Sequence, residues 1–235
     1  MNKIIEGNEC SKIVGTVFCD LTKAFDCVSY NLLVSRLGSY NFTKKSVELV
    51  RSYLTGRRQF VAMSDKTSFP KVLKCGVPQE SVLGPILFLI YINNISVGPG
   101  ADLVLFADDT TIVVREKESR TLESKMIAAQ KEATAWFSQN GLSLNENKTQ
   151  TMCFTHKNHT KKTTGHSKFL GFQLDPILSW EDHVGFFTNN LSKNIFLIGS
   201  IKNDLPRSSL LTAYHALIVY VPLWVRSCCM GTLTL

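Results

Sequence analysis

Three aspartates stand where a carboxylate is unfavourable unless something compensates it. Asp20 ends the β-branched and aromatic run IVGTVFC, and Asp108 and Asp109 separate the two apolar runs of LVLFADDTTIVV. Adjacent carboxylates repel, and a cation bound between them relieves the repulsion. On the pair alone, an Asp-Asp turn closed by a side-chain Asx bond explains the residues at least as well. Asp20 adds a third carboxylate at the end of a buried strand, 88 and 89 residues upstream of the other two. Hard oxygen ligands in that number suit Mg²⁺, which fills its remaining positions with water and substrate phosphates. Two such ions about 3.5 to 4 Å apart activate an attacking hydroxyl and stabilise a leaving pyrophosphate. The chemistry expected is nucleotidyl transfer.

Bringing the three together requires a sheet with helices behind it. Ile13 to Cys19 reads as a buried strand. Ser29 is expected to cap a helix with Leu32, Leu33, Leu37 and Tyr40 on its inner face. Thr43 starts a second, with Val47, Val50 and Leu54 inward and Gly56 beyond its end. RRQFVAM and SFPKVLK pattern as a polar-rimmed hairpin. GVPQES is a polar turn ahead of an apolar helix from Val82 to Asn94, with Pro85 in its first turn, where a missing N–H costs little. LVLFADDTTIVV predicts a hairpin with Asp108 and Asp109 at its tip. From Glu118 to Gln139, Leu122, Met126, Ala129, Ala133, Trp136 and Phe137 recur at three- and four-residue steps, the stripe of a long amphipathic helix closed by Gly141. TQTMCFT follows as a strand and SKFLGFQLDP as a hairpin, and after Trp180 the pattern is helical. This order predicts an α+β fold, a mostly antiparallel sheet backed by helices, followed by a small helical domain from about residue 181.

Composition narrows the partners. With 235 residues, 44% hydrophobic and 19% charged, the chain is globular in make-up rather than disordered. A net charge of +7 and pI near 9.0 suit a polyanionic partner. Seven cysteines, an odd number without the spacing of a stapled domain, read as reduced thiols in an intracellular compartment. Cys153, His156 and His159 lie close in sequence, but no second cysteine pair completes a zinc set, so they read as a strand thiol and two loop histidines. MNKIIEGNEC lacks the apolar core of a signal peptide. The apolar runs Val82 to Ile95 and Ala213 to Val225 are shorter than the roughly 18 residues of a spanning helix, and each contains a proline, so no membrane segment is expected.

Five blocks in order, FCDLTKAFDCV, GVPQESVLGPILFLIYINNI, LFADDTTI, WFSQNGLSLNENKTQTMCF and FLGFQLDPILSWEDHV, resemble the palm motifs of reverse transcriptases from non-LTR retrotransposons, most of all the Jockey type of arthropods. The resemblance implies a right-hand polymerase palm with partial fingers over residues 1–180 and a thumb-like helical region over 181–235. It implies that Asp20 and Asp108 bind two catalytic Mg²⁺ ions, with Mn²⁺ able to substitute, that Asp109 is their acidic neighbour, and that the Leu21 carbonyl is a further ligand. Phe25 then matches the steric gate that excludes a ribose 2′-OH, Gln79 packs against the incoming nucleotide and template, and Lys148 neutralises or protonates the departing pyrophosphate. Lys23 and Asp26 belong to the first block, FLGFQLD corresponds to the hairpin that grips the primer end, and Lys193 and Lys202 either reach a duplex backbone or form a solvated face. The implied partners are an RNA template, a DNA primer and dNTPs.

The chain departs from that pattern at three places. Glu80 stands where the family has glycine, next to the implied nucleotide contact. A charge there, 6 to 8 Å from a triphosphate, would cost roughly 2 kcal/mol per unit charge before screening. Only 19 residues precede Asp20, fewer than the family's fingers and endonuclease regions occupy. The tail VYVPLWVRSCCMGTLTL also differs from the family's. A truncated element copy or an incomplete gene product accounts for all three departures. The alternative function is an inert remnant that binds nucleic acid through its basic surface.

Overall fold

The computed structural model describes residues 12–154, 167–169 and 171–219. The N-terminal decapeptide, His156, His159 and the tail from Tyr220 lie outside them. From the N-terminus the elements run β1 (Ile13–Cys19), a 3₁₀ turn (Ala24–Cys27), α1 (Tyr30–Ser39) and α2 (Lys44–Leu54). Four short strands follow, β2 (Arg58–Gln59), β3 (Ala62–Met63), β4 (Lys66–Thr67) and β5 (Lys71–Val72). Then come α3 (Leu83–Ile92), β6 (Ala101–Phe106), β7 (Asp109–Glu116), α4 (Ser119–Gln139), β8 (Gln150–Phe154), β9 (Ser167–Phe169) and β10 (Phe172–Leu174). Helices α5 (Glu181–Ile201) and α6 (Arg207–Tyr214) and a π-helical turn (His215–Val219) complete the described chain. The architecture is α+β, as the residue pattern predicts.

The main sheet has the order β6-β7-β1-β8. β1 and β7 are its inner strands and are buried along most of their length, which is why both read as near-continuous apolar and β-branched runs rather than alternating ones. Helix α4 covers β7 with the stripe Leu122, Met126, Ala129, Ala133 and Phe137, all buried. Burying each large member of such a stripe contributes about 1.5 to 3 kcal/mol. Helix α1 packs on α2 and α3 through Leu33 and Leu37, both fully buried. Leu32 and Tyr40, expected on the same inner face, are exposed instead. The inward line is the i, i+4 pair, and Leu32 lies a residue off it. RRQFVAM supplies β2 and β3 of two nested ladders, but only β5 comes from SFPKVLK, pairing with β2; β3 pairs instead with β4, which lies just ahead of that stretch, and all four strands are exposed.

The chain divides into two compact units, one of Gly15–Thr151 and the other of Met152–Leu235 with Met1–Val14. In the second unit, β9 and β10 pair antiparallel, Phe169 opposite Phe172, forming the expected hairpin. A knot of side chains joins that hairpin to α5. The buried Asp175 carboxylate accepts bonds from the backbone N–H groups of Ile177 (3.0 Å), Ser179 (3.1 Å) and Trp180 (3.2 Å) and from the Ser179 hydroxyl (3.1 Å). Burial alone would raise its pKa, but these four bonds to the charged form outweigh it and leave the carboxyl below its ordinary value. They also hold Leu178 and Trp180 at positive φ, 53° and 65°, where the chain turns into α5.

His183, on the first turn of α5, is buried against Phe172 and Trp180, with ring centroids 5.2 and 6.1 Å away. Its Nδ1 accepts the Gln173 backbone N–H at 3.3 Å, so the neutral ring carries its proton on Nε2, which has no partner among the described residues. Burial pushes the imidazole below its ordinary 6.5. The unfolded chain therefore binds the proton more readily than the folded one. Stability supplied by neutral His183 is full above pH 6.5 and is lost as pH falls toward the depressed folded value. Thermal melts by circular dichroism should show a fall in Tm between pH 7.5 and 5.5 that is steeper in the parent than in His183→Gln. Equal slopes would mean that His183 titrates normally.

Candidate active site

The site residues are delivered by two turns, a hairpin and the segment that follows α4, all in the unit Gly15–Thr151. The first turn follows β1. Asp20 is half-buried at the strand's end, and Leu21 is buried and bridges Leu144. The bridge is closed by Thr22 N–H to Ser143 O and Asn145 N–H to Asp20 O, both 2.8 Å, so the Leu21 carbonyl is not used by it. Phe25, in the 3₁₀ turn, is half-buried; one ring face stacks on Phe88 at 4.6 Å and the residue also lines a cavity. It is thus neither pure core nor free surface.

What carries Lys148 to Asp20 is the end of α4. Leu142 N–H bonds to Phe137 O at 2.8 Å and Gly141 N–H to Ser138 O at 3.1 Å, with Gly141 at φ +69°. This is a Schellman closure, in which the glycine takes a conformation that other residues resist. It turns the chain back so that Leu142 is buried and Leu144 meets Leu21. Lys148 then follows on a short turn, its backbone N–H bonded to Asn145 O at 3.2 Å, and its Nζ reaches 3.8 Å from Asp20 Oδ2. The Lys148 side chain is well exposed and that of Asp20 partly so, and the pair contributes little to stability. Its interest is placement.

The second turn is GVPQES. The Ser81 hydroxyl accepts the Gly84 N–H at 3.0 Å and donates to Pro78 O at 2.8 Å, capping α3 from the last residue of the turn. A Cβ on Gly84 would lie 2.2 Å from the Pro78 carbonyl oxygen, so only glycine admits this close return of the chain. Gln79 is exposed, and its Nε2 donates to Asp26 Oδ1 at 3.0 Å, tying the two turns together. Glu80 takes φ +55°. Its backbone is in the left-handed region that glycine occupies without strain.

The hairpin supplies the other carboxylates, with one correction to the expected geometry. Phe106 pairs with Asp109, so the two-residue tip is Ala107-Asp108 and Asp109 opens β7. The positive φ of this turn, 52°, falls on Ala107. Asp108 is thereby set at the tip and Asp109 beside it on the strand, both half-buried. Burial and then the charges of Asp108 and Asp20 raise the Asp109 carboxyl above its ordinary value. The three aspartates therefore share one electrostatic neighbourhood.

A cavity of about 350 Å³ joins these parts. Lys23, Ala24, Phe25, Pro78, Gln79, Glu80, Pro85 and Asp108 line it. The structure thus gathers Phe25, Gln79, Glu80 and Asp108 on one wall system, while Asp20, Leu21, Asp109 and Lys148 are not among its lining residues. Among the described residues no group of three or more His, Cys, Asp and Glu side chains forms a ready cage for a metal ion. The donor set fits Mg²⁺ nonetheless, since that ion takes one or two protein carboxylates and completes its shell from water and phosphate. Residue pattern alone missed the Gln79–Asp26 bond and the capping role of Ser81; a serine directly ahead of an apolar run was the available signal for the latter. It also missed Arg36, which bonds Asn140 and stacks over Tyr91 at 4.5 Å and Trp136 at 5.2 Å, pinning α1 to the Schellman turn. Among the described residues no helix is long and apolar enough to cross a membrane.

Comparison with known proteins identifies the family. Residues 5–174 match the family model described as reverse transcriptase (RNA-dependent DNA polymerase). The chain is 26% identical to a probable RNA-directed DNA polymerase from transposon X-element of Drosophila melanogaster, over 97% of this chain and 27% of that protein. It is 25% identical to the RNA-directed DNA polymerase from mobile element jockey of Drosophila funebris, over 93% of this chain and 26% of that protein. The chain thus spans about a quarter of the length of these relatives. Among solved structures, telomerase from Candida tropicalis in complex with the TWJ fragment of telomeric RNA shares the fold at TM-score 0.53 and 13% identity, over 77% of this chain and 33% of that one. With the family model covering most of its length, the chain belongs to the reverse transcriptase (RNA-dependent DNA polymerase) family.

Proposed function

We propose that this chain is the palm portion of an RNA-directed DNA polymerase of a non-LTR retrotransposon, adding dNTPs to a DNA primer 3′ end on an RNA template. The observation that carries the reading is the single cavity lined by Phe25, Gln79 and Asp108, which are far apart in sequence and belong to three separate family motifs. Asp20, Asp108 and the Leu21 carbonyl, with Asp109 adjacent, would hold divalent metal ions, which would neutralise charge at the reacting phosphate and acidify the primer hydroxyl. Mg²⁺ is the expected ion, two in number, with Mn²⁺ able to replace it.

In the reaction the primer 3′-oxygen bonds to the α-phosphorus, the bond from that phosphorus to the β,γ-bridged pyrophosphate breaks, and the hydroxyl proton is released. Phe25, braced from behind by Phe88, presents its free ring face to the sugar and excludes a 2′-OH. Gln79 is held by Asp26 at the cavity wall, where it packs on the nascent base pair. Lys148 neutralises the departing pyrophosphate from its place beside Asp20. The β9–β10 hairpin grips the primer end, and α5 and α6 act as the thumb. RNA in the template role rests on the family, which is described as RNA-dependent DNA polymerase. The test is primer extension on an RNA template with dNTPs and Mg²⁺. Extension by the folded chain establishes the reading; nucleic-acid binding without extension establishes a remnant that has lost the chemistry.

A further inference from the structure

The two turns that frame the cavity run against each other next to two cysteines, Cys27 and Cys75. Gly76 N–H bonds to Val28 O and Val77 N–H to Phe25 O, both at 2.8 Å, so the entrance to the second turn lies along residues 25–28 of the first. The approach is close enough that a Cβ on Gly76 would lie 3.0 Å from Asp26 Cα and 2.9 Å from its carbonyl oxygen. Gly76 therefore rests on the Asp26–Val28 segment, whose middle residue is Cys27, and the residue before Gly76 is Cys75. The Tyr30 hydroxyl fixes that residue by donating to the Cys75 carbonyl at 3.0 Å. Cys75 is exposed and Cys27 partly so. Burial, followed by the charge of Cys75, pushes the Cys27 thiol up, a sign that the two sulfurs feel one another. The buried Cys19, whose thiol is pushed up to about 12, is inert by comparison.

We propose that Cys27 and Cys75 are a redox modification site, closing a reversible disulfide that staples the turn after Asp20 to the turn before α3. Hydrogen peroxide is the oxidant. The exposed Cys75 sulfur attacks one peroxide oxygen, giving Cys75–SOH and water. The Cys27 sulfur then attacks that sulfenic sulfur, the S–OH bond breaks, a second water leaves and the S–S bond forms. Two thiols lose two electrons and two protons, and one peroxide becomes two waters; a dithiol reductant reverses the change. The staple fixes Phe25 and Gln79, which sit two and four residues from the linked cysteines and both line the cavity. That consequence for nucleotide addition rests on the polymerase reading, whereas formation of the bond does not.

The experiment treats the folded full chain with hydrogen peroxide, blocks remaining thiols by alkylation and maps tryptic peptides without reduction. Peptides Ala24–Arg36 and Cys75–Arg115 should appear joined, two hydrogens lighter than their sum, and at least tenfold more abundantly than from the same protein oxidised in urea. Dithiothreitol should separate them, and Cys27→Ser or Cys75→Ser should each eliminate the joined species. Folded protein in which Cys27 and Cys75 stay alkylated, or in which Cys75 joins another cysteine, overturns the proposal. So does equal linkage in urea, because the fold would then not be what pairs them. Where the chain extends primers, peroxide should lower the rate in the parent and leave Cys75→Ser unaffected; where it does not, the peptide map alone decides.

Discussion

Asp108→Asn should abolish primer extension, by roughly 10³-fold or more, while leaving the protein at least as stable as the parent in the absence of divalent ions. The loss follows from the position of Asp108, at the tip of a two-residue turn and on the wall of the cavity. Asparagine keeps its shape and removes the charge that would hold a cation against the reacting phosphate. The stability follows from the same charge. The Asp109 carboxyl is raised by burial and by its acidic neighbours, so the folded state binds a proton more tightly than the unfolded one. Stability of that origin is present at low pH and is lost as pH rises through the raised value. Removing the Asp108 charge relieves part of this loss at neutral pH. The expected gain in Tm is about 2 °C without metal. Mg²⁺ should raise the Tm of the parent and do much less for the variant. Undiminished extension would remove Asp108 from the chemistry; lost extension with a lowered Tm would point to misfolding instead.

Parts of this site were legible because short-range physics wrote them into the chain. The run ending at Asp20 is apolar on both faces because β1 is an inner strand, and the α4 stripe keeps helical spacing because only one side of that helix is covered. The hairpin carrying Asp108 was legible too, but its tip was expected one residue late. Two aspartates are the obvious turn residues, and the positive φ fell on Ala107, which carries no turn signature. Leu32 and Tyr40 misled because ten residues of helix offer several apolar lines, and only packing against α2 and α3 selects the one through Leu33 and Leu37. The Gln79–Asp26 bond spans 53 residues and has no local signal at all. Nor does the return of the chain that sets Lys148 beside Asp20. Its cause, the Schellman turn at Gly141, is local, but its destination is not.

Glu80→Gly is expected to stabilise the protein and improve its use of dNTPs, for two separable reasons. The first is backbone strain. At φ +55° an L residue other than glycine carries about 1 kcal/mol of steric cost that glycine does not. A carboxylate just before the N-terminus of α3 recovers about 0.3 kcal/mol of this at an exposed site, through the helix dipole. The net gain of roughly 0.5 to 1 kcal/mol corresponds to a Tm rise of about 2 to 3 °C. The second reason is charge. The unscreened repulsion of a triphosphate, roughly 2 kcal/mol, is an upper bound. Glu80 is exposed, and solvent and salt reduce the repulsion. A three- to tenfold fall in KM for dNTPs remains, by an estimate of about 1 kcal/mol after screening. The two reasons part company in Glu80→Gln, which keeps the side chain and loses the charge: it should lower KM without raising Tm. Raising the salt from 50 to 300 mM should shrink the KM advantage of both variants and leave the Tm advantage of glycine intact. If Glu80→Gly alters neither quantity, the left-handed backbone at residue 80 is relaxed by its surroundings and the charge lies too far from the phosphates to matter. The departure from the family at this position would then be neutral, and the impairment that its charge suggests would be absent.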